Sequence, residues 1–119
     1  MAVLYVFIGG GLGAICRYLI GRSFGLSANG FPLGTFIANI ISCIILGMLM
    51  GWLLKKGMDQ KMQLLLMTGF CGGFSTFSTF SAESFQLVQQ GNVTLAFIYI
   101  IASVVICTMV LFGGYLLMK

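Results

Sequence analysis

The sequence predicts an all-α integral membrane protein of four transmembrane helices with the third broken near its middle, and three observations carry that prediction. The residues are 60% hydrophobic and only 7% charged, far from the roughly 45–50% apolar and ~25% charged makeup of soluble domains. Four apolar stretches, at about 3–20, 33–54, 62–89 and 93–117, each approach the roughly 20 residues needed to cross a bilayer. Within the third, Gly69 to Phe80 reads GFCGGFSTFSTF, so glycines and hydroxyls interrupt the apolar run. Non-helical backbone survives at membrane depth only where protein buries it or water reaches it, so the interruption predicts a site. Four spans with short turns use nearly all of the chain, and 1–119 is expected to form a single membrane domain.

The first segment has no basic residue before its apolar run and no small-residue cleavage pattern after it. It is therefore expected to be a retained span and not a removed signal. Gly9, Gly13 and Arg17 recur every four residues along it, and small residues at that spacing let two helices approach closely. Arg17 admits two placements: snorkelling to the headgroups, or pointing into protein, where an intramembrane charge marks a functional position. Arg22 and the turn from Gly25 to Pro32, with the single proline, end the segment.

The second span places Thr35, Asn39 and Ser42 on one helical face. An amide in hydrocarbon needs a partner, which for Asn39 is either a neighbouring helix or the contents of a pathway. Lys55, Lys56, Asp59 and Lys61 make an interfacial turn before the third span. There Gly72, Gly73 and the four hydroxyls after them are read as the interruption, with both glycines intolerant of bulk because glycine alone enters positive φ cheaply and permits close approach. Beyond it Phe77, Phe80 and Ser84 share a face, and Thr76, Thr79 and Glu83 an adjoining one. Glu83, the sole acid within a span, is either solvated near the span end or held inside by hydroxyls. The fourth span is apolar except for a stripe at Tyr99, Ser103 and Cys107 with Thr108 beside it. Together with the polar faces of the second and third spans, the stripe reads as the wall of a pathway.

Composition also excludes functions. Six basic residues give a net charge of +4 but are spread over the span ends, an anchoring pattern and not a nucleic-acid patch. The four cysteines, Cys16, Cys43, Cys71 and Cys107, fall one per span with no CxxC pair, which argues against a disulfide framework or a thiol relay. With no histidine and two acids, a carboxylate or imidazole metal site and paired acid–base catalysis lack their groups, so an enzyme is not expected.

The segments GGGLGAICRY at Gly9–Tyr18, PLGTFIANI at Pro32–Ile40 and GFCGGFSTFSTFS at Gly69–Ser81 together resemble the CrcB/Fluc family of fluoride channels. The resemblance covers the whole chain in order, and the third motif is highly specific. It implies a multi-pass protein of the bacterial inner or plasma membrane that exports fluoride passively and so relieves its toxicity. It also implies an antiparallel dual-topology homodimer with two fluoride pores and a structural sodium ion on the dimer axis. The backbone carbonyls of Gly72 and Ser75 would hold the sodium. Asn39, Phe77, Phe80, Tyr99 and Ser103, with Thr79, would line the fluoride pore, and Arg17 and Glu83 would stand at its entrance or vestibule. Ser75 stands where the family pattern leads one to expect threonine, and Cys107 where a hydroxyl would continue the polar track.

The charges agree with dual insertion without requiring it: with both termini on one side, four basic residues face two across the membrane. The partners expected are fluoride, a second copy of the chain and the lipid bilayer. Two rival classes fit less well. A small multidrug-type exporter needs a central membrane acid, whereas Glu83 lies near a span end; a quinone-linked thiol oxidoreductase needs paired cysteines.

Overall fold

The computed structural model describes Met1–Lys119 and is helical throughout, with no strand. The long helices are α1 (Ala2–Phe24), α2 (Leu33–Lys56) and α6 (Val93–Met118), and all three are long and apolar enough to cross a membrane. Between α2 and α6 the chain forms α3 (Gln60–Met62), a π-helix (Gln63–Cys71), α4 (Gly72–Phe74) and, after two extended residues, α5 (Phe77–Gln89). Only 18 of the 119 residues are buried, so the protomer has almost no enclosed core and presents apolar side chains outward, as a chain in lipid does.

Packing depends on bare backbone. A Cβ on Gly9 would stand 2.1 Å from the Leu65 carbonyl oxygen, and one on Gly13 would stand 2.2 Å from that of Phe70. The glycine face expected of the first span is thus where α1 meets the π-helix. In the same way α2 and α6 run parallel, with Gly47 against the Leu111 carbonyl and, one turn on, Gly51 against that of Tyr115. Helices touching through glycine bring their flanking side chains into direct contact. At the loop end of α6, buried Tyr99, Leu87 and Ala96 form a small core, with Phe31 edge-on to the Tyr99 ring at 5.3 Å.

Two features differ from expectation. The first helix runs on to Phe24, which leaves Arg17 well inside it. The break lies at Ser75 and Thr76 (ψ 156° and 123°), while Gly72 is α-helical and neither Gly72 nor Gly73 has positive φ. Glycine freedom is therefore not what interrupts the helix. Thr76 turns out because its side chain caps α5, accepting from the Thr79 N–H at 3.2 Å. Its own N–H is drawn sideways to Asn39 Oδ1 at 3.0 Å.

Candidate functional site

The polar face of α2 is fastened along its length to the interrupted third segment. Thr35 Oγ1 donates to Glu83 Oε2 at 3.0 Å, Asn39 Oδ1 accepts from the Thr76 N–H, and Ser42 Oγ donates to the Cys71 carbonyl at 3.1 Å. Three residues on one helical face thus satisfy groups above, at and below the break. A backbone N–H can only donate, which settles the orientation of the Asn39 amide. Its Nδ2 makes no hydrogen bond within the protein, and Asn39 lines a cleft.

That cleft, of about 240 Å³, lies between α2, the extended residues, α5 and α6. Asn39 and Cys43 form one wall, Ser75 and Thr76 the next, Phe77 and Phe80 a third, and Ser103, Val104 and Cys107 the last. Ser103 Oγ is buried with no hydrogen-bond partner. An unpaired hydroxyl in an apolar surrounding is costly, so its place beside a cleft calls for a ligand. No cationic side chain lines the space.

Behind the Phe80 ring, at a centroid distance of 5.0 Å, lies Tyr99, fully buried, whose hydroxyl donates to Glu83 Oε1 at 3.0 Å. Glu83 is therefore held by hydroxyls from two other helices, which decides between the two placements open for it. It also borders a second hollow of about 80 Å³ beside Pro32, Gln86 and Gln90. Polar groups thus run from this hollow through Glu83 and Tyr99 to the cleft, with Phe80 between. Phe77 closes on Phe80 at 5.9 Å and is 78% exposed, which leaves the outer side of the cleft uncovered within one protomer.

The structure brings Asn39, Phe77, Phe80 and Ser103 together on the cleft, with Tyr99 and Glu83 behind them. Thr79 is not part of the lining; its N–H serves the Thr76 cap. Arg17 does not line it either. Its Nε donates to the Gly73 carbonyl at 3.1 Å, so the guanidinium turns into protein and completes the broken end of α4, while its glycine neighbours pack. The sequence places Thr35 and Thr76 on the polar faces of the pathway wall without giving either a role, and it leaves Cys43 out of the wall.

The break takes two carbonyls away from their helical donors. The N–H groups four residues on from Gly72 and Ser75 are those of Thr76 and Thr79, and both bond to side chains instead. Gly72 is exposed, with open space off its Cα. Carbonyl oxygens released from their helical donors on an open face suit a hard cation, so these residues fit the sodium ion that the resemblance implies.

Comparison with known proteins gives one family. A family model described as "CrcB-like protein, Camphor Resistance (CrcB)" matches residues 4–115. Three relatives, each named fluoride-specific ion channel FluC, come from Pyrococcus abyssi, Novosphingobium aromaticivorans and Azobacteroides pseudotrichonymphae. The first is 44% identical over 98% of this chain and 94% of its own, and the second is 41% identical over 99% and 96%. The third is 40% identical over 93% and 91%. With a match that spans nearly its whole length and three helices able to cross a bilayer, this multi-pass membrane protein belongs to the CrcB-like family.

Proposed function

We propose that the chain is a passive, fluoride-selective channel of four spans, the third formed by the residues from Gln60 to Gln89 across the break, and that it works as an antiparallel homodimer. The observation that carries this reading is the donor set of the cleft. The Asn39 Nδ2 group and the Ser103 hydroxyl are uncommitted, and the partly positive ring edges of Phe77 and Phe80 stand beside them. Fluoride is small, strongly hydrated and an avid hydrogen-bond acceptor, so a pore that admits it must replace water with donors. A pore lined by fixed cations would hold larger halides too. The names of the relatives support the same ion.

Within this reading, Asn39 and Ser103 hand the ion along, the two phenylalanines exclude water, and the Thr35–Glu83–Tyr99 cluster sets the far end of the track. The second protomer covers the open outer side of the cleft beside Phe77. Gly72 and Ser75 carbonyls from both protomers would hold the sodium ion, whose positive charge would fix the two broken segments against each other. The rival exporter reading gains nothing from the geometry, because both oxygens of Glu83 are engaged by hydroxyls.

Liposomes containing the protein are expected to release fluoride down its gradient and to retain chloride at least 100-fold better. Fluoride release that requires a proton gradient, or equal loss of chloride, would refute the channel. The paired insertion has its own measurement: a cysteine-free variant with one cysteine introduced beside Lys119 is expected to label from both faces of intact membranes, and labelling from one face alone would rule out dual topology.

A further inference from the structure

The four cysteines fall one per span in the sequence, yet the packing of α2 against α6 pairs two of them. Gly51 meets Tyr115 and Gly47 meets Leu111. One turn earlier the same parallel step sets Cys43 beside Cys107, and both thiols face the cleft. Both are free and half-buried, and both belong to the lining of the same cleft. Cys71, by contrast, is 2% exposed and outside the lining, and Cys16 lies on α1.

The donor set determines what such a pair could hold. No group of three or more histidine, cysteine, aspartate or glutamate side chains converges anywhere in the protein, so a tetrahedral zinc site lacks its ligands. The oxygen and nitrogen of Ser103 and Asn39 are hard donors that add nothing for a soft ion. Two thiolates alone satisfy a thiophilic d10 cation that accepts two ligands in line.

We propose that Cys43 and Cys107 form a binding site for a two-coordinate thiophilic cation of the mercury(II) type, and that its occupancy closes the cleft. Two S–H bonds break and two S–metal bonds form; both protons leave to water, with no change in oxidation state. The closing half of this proposal rests on the cleft being the anion path; the binding half does not.

The test uses mercuric acetate on the purified full-length protein, followed by desalting in the presence of a millimolar monothiol. A single thiol surrenders mercury to the competitor, whereas a two-sulfur site keeps it. Wild type and Cys16→Ser are expected to retain about one mercury per protomer. Cys43→Ser, Cys43→Ala, Cys107→Ser and Cys107→Ala, each checked for wild-type elution on size exclusion, are expected to retain at most a tenth of that. In liposomes the same titration is expected to stop fluoride efflux in wild type, with at least tenfold more mercury needed in the serine variants relative to their own uninhibited flux. Wild-type retention by either single variant overturns the site. Full retention with undiminished efflux in wild type overturns the closing of the cleft while leaving the metal site standing, and absence of any fluoride efflux before mercury is added refutes the channel reading separately.

Discussion

Replacing Gly73 with valine is expected to leave almost no folded protein, whereas the same change at Gly72, one residue earlier, is expected to leave the protomer intact. A Cβ at position 73 would stand 2.4 Å from the Gly10 carbonyl oxygen and 2.9 Å from its Cα, while one at position 72 meets nothing within 4 Å. The obstacle at Gly73 is backbone of α1 that cannot rotate away, and separating the helices would also break the Arg17 bond to the Gly73 carbonyl. Overpacking of this kind costs about 3 kcal/mol or more, a large part of the total stability of a small domain. Recovery by size exclusion in mild detergent gives the measurement, and equal recovery of the two variants would show that the α1–α4 contact does not hold the protomer together. The Gly72 variant also tests the proposed dimer axis: a folded protomer that elutes as a monomer, in sodium or in N-methylglucamine, is the expected result. A stable dimer would remove Gly72 from that axis.

Asn39 is expected to show the largest separation between folding and flux. Asn39→Leu leaves the Thr76 N–H without an acceptor at the break, and an unsatisfied backbone group in hydrocarbon costs several kcal/mol, so this variant is expected to be poorly recovered. Asn39→Asp keeps an oxygen for Thr76 and exchanges the Nδ2 donor for a second carboxyl oxygen, which when ionised accepts only and repels an anion. It is expected to fold as wild type does and to lose at least about tenfold in fluoride efflux, because a hydrogen bond to a charged partner contributes roughly 1.5–3 kcal/mol. Wild-type flux from a folded Asn39→Asp protein would return the amide to a purely structural role.

The elements that sequence periodicity revealed are those in which one helix carries the whole pattern. Gly9, Gly13 and Arg17 do share a buried face, and Thr35, Asn39 and Ser42 do share a polar one, because a spacing of three or four residues is a property of the helix alone. The Tyr99, Ser103 and Cys107 stripe is likewise one face, and two of its three residues reach the cleft. What could not be read locally was set by partners elsewhere in the chain. The break falls at Thr76 because Asn39 and the Thr76 hydroxyl capture N–H groups there, and neither capture is encoded in the glycines next to it. The pairing of Cys43 with Cys107 depends on the longitudinal register of two helices far apart in sequence, fixed by Gly47 and Gly51. The π-helix over Gln63–Cys71 left no composition signal: its residues are as apolar as those of an ordinary span.

The Thr35–Glu83–Tyr99 hydrogen bonds carry a consequence for biogenesis. A membrane chain emerges from the ribosome N-terminus first, so Thr35 is in place when Glu83 arrives, but Tyr99 is still to be synthesised. The only acid in the third segment therefore reaches the bilayer with one oxygen unpaired, in a stretch whose backbone is interrupted a few residues earlier. Neither half of that stretch is long enough to insert by its own hydrophobicity. On the four-span reading proposed above, the third segment is expected to enter together with α6 as a helical hairpin, so that a nascent chain ending before Val93 carries two stable spans and a tail at the membrane surface.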